Sequence, residues 1–191
     1  MNRFLLWAAL AAALLLEGCA TIAPTAAPPP APAFDFLGRI SARAEGRVFS
    51  SHIRWAHAAG RDEIWLMTPT GQALARIAGD ATAATFTAAD GGEFQADDME
   101  SLMRRALGWE LPVSRLAWWV QGGIVPGGAF GEVLRDTEGR LVRLKQDGWN
   151  IEITHPPAGG AGRLPARVEL ADDERRIRLV IDQWRTDAGA R

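Results

Sequence analysis

From Phe36 the chain alternates, with Phe36, Gly38, Ile40, Ala42 and Ala44 on one face and Arg39, Ser41, Arg43 and Glu45 on the other. A period of two sends successive side chains to opposite faces, so this is a half-solvated antiparallel strand. Gly46 ends it, and residues 47 to 57 alternate again with Phe49, Ile53 and Trp55 inward, which predicts a hairpin. Residues 64 to 67 and 74 to 77 form a second pair around Thr68-Pro69-Thr70-Gly71, a turn with proline at its second position. Residues 82 to 88 and 93 to 96 flank a third turn, Asp90-Gly91-Gly92.

The period then changes to a helical one: Met99, Leu102, Met103, Ala106 and Leu107 form one stripe, with Asp97 as cap, Glu100 completing a capping box and Gly108 closing the helix. Leu116, Trp119 and Val120 continue the spacing in a shorter helix between Ser114 and Gly122. Strand alternation returns at residues 140 to 145, 149 to 153, 167 to 170 and 177 to 181, with Asp172-Asp173-Glu174 turning the last hairpin. Six or more antiparallel strands interrupted by a helical pair predict an α+β domain, a curved sheet covered on one face by helices.

The first residues belong to a different regime. Arg3, an apolar run from residue 4 to 16, and Glu17-Gly18-Cys19 have the order of a secretory signal peptide, and a run of about 13 residues is short of the roughly 20 that cross a bilayer. Cys19 is the only cysteine, so no intramolecular disulfide is possible. Leu16-Glu17-Gly18-Cys19 resembles a lipobox, which makes Cys19 the lipidated N-terminus of the mature chain, although Glu17 departs from the usual small or apolar residue. Residues 20 to 33 hold five prolines and no charge, the composition of a tether. The organisation is therefore signal peptide 1–18, lipidated cysteine and tether 19–33, and one domain over 34–191.

Loss of residues 1 to 18 removes one charge of each sign, so the net charge stays at −2 and favours no nucleic acid. Five serines stand outside any G-x-S-x-G, and His52 and His57 leave opposite faces of one strand. The histidines read as surface or loop residues, and glycines 122, 123, 127, 128 and 131 as a flexible connection, since no lysine-serine or lysine-threonine follows them. No enzyme, cofactor or metal is indicated. What is unusual is the aromatic content: Trp55, Trp65, Trp109, Trp118, Trp119, Trp149 and Trp184, with Phe49 and Phe86, either fill a core or line a cleft for an apolar ligand, and composition leaves both open.

In order, the chain carries F-x-G-R-I (residues 36 to 40), a strand to Trp55, P-T-G (69 to 71), G-W-E-L-P-V (108 to 113), L-x-x-W-x-x-G (116 to 122), Q-x-G-W (146 to 149), Leu164-Pro165 and a strand to Trp184. The succession, behind a lipobox and a proline-rich tether, resembles the LolB family over essentially the whole mature domain. The resemblance implies an incomplete antiparallel β-barrel enclosing a hydrophobic cavity with helices as a lid, anchored by Cys19 on the periplasmic face of the outer membrane. It implies the soluble carrier LolA as partner, lipoprotein acyl chains as cargo, and insertion of that cargo into the membrane. At the middle of the P-T-G turn the family presents a leucine that enters the membrane; here Thr70 stands there, so that role passes to Leu66, Met67 or Leu74 beside the turn or goes unused. Two other classes remain open on sequence: a lipid-anchored module that binds an apolar ligand or a partner without transfer, and an envelope lipid hydrolase, which lacks a nucleophile motif.

Overall fold

The computed structural model describes residues 29–157 and 164–185; the signal segment, Cys19 and most of the tether lie outside the described residues. The elements in chain order are β1 (Phe34–Ala44), β2 (Arg47–Ala58), β3 (Arg61–Met67), β4 (Ala73–Gly79), β5 (Ala84–Ala88), β6 (Glu93–Ala96), α1 (Met99–Leu107), α2 (Val113–Trp119), β7 (Phe130–Arg135), β8 (Leu141–Gln146), β9 (Trp149–Thr154), β10 (Arg167–Ala171) and β11 (Arg175–Trp184). All strands join one sheet of order β6-β5-β4-β3-β2-β1-β11-β10-β9-β8-β7, so two meanders meet where β1 pairs with β11. Among the described residues every pairing is antiparallel and β6 and β7 are unpaired edges, so the curved sheet does not close.

The alternation along each strand decides which face is covered. Phe36, Ile40, Ala42 and Ala44 on β1, Ile151 and Ile153 on β9, and Ile177, Leu179 and Ile181 on β11 are buried, while Arg39, Arg43 and Arg178 point the other way into solvent. The helices close over the buried face, placing Leu102, Leu116 and Trp119 in the same core. Arg39 forks onto Asp182 across the solvated face with bonds of 2.7 and 3.1 Å. Gly38 lets β1 and β11 approach: a Cβ there would stand 2.2 Å from the Val180 carbonyl oxygen, at a point where the ladder shifts register.

Several local features differ from the sequence expectations. The cap of α1 is Asp98, whose carboxylate accepts from the Ser101 backbone N–H at 2.6 Å; Asp97 plays no such part. Glu100 accepts instead from the Ser114 N–H (3.0 Å) and hydroxyl (2.6 Å), which ties α1 to the start of α2. Gly108 does end α1, in the left-handed region at φ 87°, where a side chain would be strained. The glycine-rich connection contains β7, an edge strand whose six residues are all exposed and therefore show no buried face to read. His57, read as a surface residue, is buried, and its Nδ1 lies 2.7 Å from Asp62 Oδ1. The packed body also starts before residue 34: Ala31 is buried and the Pro32 carbonyl accepts from Gln121 Nε2 at 3.0 Å. Among the described residues no helix is long and apolar enough to cross a membrane.

Candidate functional site

Between the inner face of β1–β5 and the helical segment lies a pocket of about 320 Å³. The inward positions of the strands build one wall: Phe49, Ile53 and Trp55 from β2, Ile64 and Leu66 from β3, Ala75 and Ile77 from β4, and Phe86 from β5. Met103 and Leu107 of α1, then Trp109, Leu111, Val113 and Leu116, build the other. No lining residue carries a charged or hydrogen-bonding side chain except the indoles of Trp55 and Trp109. The pocket has a rim and a floor. Leu74 is 44% exposed, and Phe49, Leu66 and Leu107 are half-buried, at the end marked by the Thr68 to Gly71 turn. At the other end Trp55 is 1% exposed and Ile64 and Ile77 are buried.

The floor is kept apolar by turning its polar atoms outward. Trp55 Nε1 donates to Asp62 Oδ1 at 2.6 Å, so the pocket meets the indole ring and its N–H is satisfied behind it. Asp62 is itself buried beside His57, and Phe34 stacks on the His57 ring at 5.3 Å while meeting Trp55 edge-on at 5.1 Å. Phe36 and Trp184 complete this aromatic layer at 5.4 Å.

Of the nine aromatic candidates, the structure brings Phe49, Trp55, Phe86 and Trp109 to the pocket. Trp65 is on the opposite face, since Ile64 and Leu66 take the inward positions on either side of it; the Arg54 guanidinium covers its ring at 4.7 Å. Trp119 is fully buried with Nε1 donating to Gln146 Oε1 at 3.0 Å, and Trp149 packs under Arg175 at 4.7 Å. Trp184 donates to the Pro165 carbonyl at 2.8 Å, in the layer behind the floor. Trp118 borders a second recess of about 910 Å³, larger but polar, among Asp98, Glu100, Arg104 and Arg115. The larger volume is the weaker candidate for an apolar ligand, because its carboxylates and guanidiniums would lose solvation under one.

The turn candidates also separate. Leu66 lines the pocket at its rim, Met67 borders a recess on the other side with Arg39 and His52, and Leu74 stands between them and borders both. Thr70 is exposed at the tip, its hydroxyl 2.8 Å from that of Thr68. Met103 and Leu107 were missed as lining residues; the helical stripe on which both stand was the available signal. Charge at the site is confined to its surroundings. Asp98 titrates below the ordinary carboxylate range, because the Ser101 backbone N–H, and then its hydroxyl, bond the ionised form. Among the described residues no three histidine, cysteine or acidic side chains gather as a metal site would need.

Comparison with known proteins follows the same outline. Residues 32–184 match the family model described as outer membrane lipoprotein LolB. The chain is 38% identical over 187 residues to the outer-membrane lipoprotein LolB of Azoarcus sp. (strain BH72), covering 96% of each protein. It is 38% identical over 190 residues to that of Thiobacillus denitrificans, covering 97% of this chain and 99% of the relative. The counterpart from Chromobacterium violaceum is 36% identical over 183 residues, 92% of this chain and 96% of the relative.

Proposed function

Because the chain belongs to the LolB family of outer-membrane lipoproteins, we propose that it takes lipoproteins from the soluble periplasmic carrier LolA, holds their acyl chains in the apolar pocket, and inserts them into the outer membrane to which Cys19 anchors it. The observation that carries this reading is the pocket: lined by apolar side chains, closed by Trp55 and open at the rim formed by Phe49, Leu66 and Leu74.

Energetics explain why such a receptor needs a pocket. A cargo with three acyl chains exposes on the order of 40 methylenes, and at roughly 0.8 kcal/mol each their release into water costs about 30 kcal/mol. Non-covalent affinities saturate near about 18 to 21 kcal/mol, so the cargo passes only between apolar surfaces in contact. Direction then comes from differences in affinity along carrier, receptor and bilayer, with no nucleotide consumed. α1 contacts β5 and β6 at the edge of the sheet, where its movement outward would widen the pocket for a whole cargo.

The test is a two-stage transfer. Carrier loaded with a labelled lipoprotein is mixed with the chain lacking residues 1–28, and then with liposomes. Label is expected first on the domain and then in the liposomes. Label that stays on the domain would identify a binding module without transfer, and label that never leaves the carrier would overturn the receptor reading.

A further inference from the structure

Behind the rim of the apolar pocket, the solvated face of the sheet carries charges that the fold leaves unpaired. Arg43 on β1 and Arg176 on β11 are exposed and directly opposite in register. Like charges set opposite one another weaken a sheet, and among the described residues neither guanidinium has a carboxylate within 4.0 Å. Both border a recess of about 530 Å³ whose lining includes the β10–β11 turn, where Asp173 and Glu174 are exposed and, among the described residues, equally without a cationic partner. The other charges there are already matched: Arg175 Nε donates to Asp172 Oδ2 at 2.7 Å, and Arg178 Nε lies 3.0 Å from Glu169 Oε1. Two cations and two anions thus border one recess without reaching each other.

The recess adjoins the mouth. Val48, which pairs with Arg43, borders it and is 68% exposed, and the next residue, Phe49, stands at the rim of the pocket. Ala42 borders recess and pocket alike. A rim brought to a bilayer therefore sets the recess among lipid headgroups. Its balanced charge gives no preference for a simply anionic surface and fits a headgroup that bears both signs. We propose that the recess binds the phosphoethanolamine headgroup of a membrane phospholipid: the phosphate is received between Arg43 and Arg176, whose repulsion it removes, and the primary ammonium donates to Asp173 and Glu174. Phosphocholine has no N–H to donate and phosphoglycerol has no cation, so each satisfies only half of the site. The choice of a lipid as occupant rests on the insertion reading above, which brings the rim to the membrane, but the binding itself needs no cargo.

Vesicle flotation tests it. Residues 19–191 with Cys19→Ala, and so without a lipid anchor, are floated with vesicles of phosphatidylcholine alone or mixed equally with phosphatidylethanolamine or with phosphatidylglycerol. Binding is expected to be at least fivefold higher with phosphatidylethanolamine than with either other composition. Free O-phosphoethanolamine should compete it away at concentrations where inorganic phosphate does not. Arg43→Gln with Arg176→Gln, and separately Asp173→Asn with Glu174→Gln, should each abolish the preference, and the first pair should leave Tm unchanged or raised because a repulsion is removed. Equal binding to all three vesicles, or variants that keep the preference, overturns the site. Stronger binding to phosphatidylglycerol overturns it in favour of a plain basic patch, and binding of free phosphoethanolamine without binding of vesicles overturns the lipid as occupant. A chain that prefers phosphatidylethanolamine yet delivers no cargo to those vesicles leaves the headgroup site standing and overturns the insertion reading instead.

Discussion

Ala75→Leu is the substitution that most directly asks whether the pocket is a binding site or a packing gap. Ala75 is buried on β4, opposite Leu66 and Ala88, and its methyl group faces the pocket. Leucine adds three carbons to a pocket of about 320 Å³. An acyl ligand then loses about three methylene burials, about 2.4 kcal/mol at ~0.8 kcal/mol each, which weakens binding about fiftyfold. The free domain should change in the opposite sense. Carbons placed in empty apolar space gain up to about 2 kcal/mol, or about 4 to 8 °C in Tm for a domain of this size. The assay is a titration of the chain lacking residues 1–28 with a fluorescent fatty acyl probe, paired with thermal unfolding of the ligand-free protein. A higher Tm with unchanged probe affinity would refute the reasoning, since the space would be real and the ligand elsewhere. A lower Tm would show that the wall cannot absorb the added volume, and Leu66→Trp at the half-buried rim then repeats the test where the wall is less confined.

Thr70→Leu should speed cargo insertion into liposomes several-fold by adding a membrane-burying side chain at the exposed tip, with receipt from the carrier unchanged; equal insertion rates would mean that the turn only connects β3 and β4. Asp98→Ala should cost about 1 kcal/mol at pH 7 in urea unfolding, the worth of a helix cap. Since the folded carboxyl titrates below its unfolded value of about 3.9, the cap's contribution is complete above that pH and is lost as pH falls through the lowered value. The difference between parent and variant should therefore close only in that acid range, and a gap that persists at lower pH would assign the cost to something other than the charged cap. Gly38→Ala should destabilise the domain by about 2 to 3 kcal/mol, because its Cβ falls 2.2 Å from the Val180 oxygen at the seam between the two meanders. An unchanged urea midpoint would show that the β1–β11 bulge relaxes freely.

Much of the sheet was legible because one face is wet and the other dry. Phe36 to Ala44, Trp149 to Ile153 and Ile177 to Ile181 alternate strictly, and the structure buries the expected face in each. β7 was illegible for the converse reason: Phe130 to Arg135 buries nothing, so no period of two appears, and the neighbouring glycines read as loop. The aromatic candidates had been chosen by residue type, and type does not give direction. The parity of β3 already put Trp65 on the far side from Ile64 and Leu66, whereas Trp119 and Trp149 face inward and are consumed by packing. The α1 cap slipped by one residue because Asp97 and Asp98 are equivalent in composition, and only backbone geometry selects the one that reaches Ser101.

Placing the two ends of the domain sequence side by side has a kinetic consequence. The pairing of β1 with β11 joins Arg39 to Asp182 across 143 residues, and it lies at the middle of the sheet. A chain delivered across a membrane N-terminus first presents β1 to β6 long before β11 arrives, so the first meander waits with β1 as a bare edge. Pairings this distant in sequence form slowly, and a waiting edge is open to the wrong strand. Emergence of the last strand is thus the committing event of folding, and a product that stops short of residue 175 leaves two half-sheets with their central edges exposed, the form that envelope chaperones and proteases are suited to intercept.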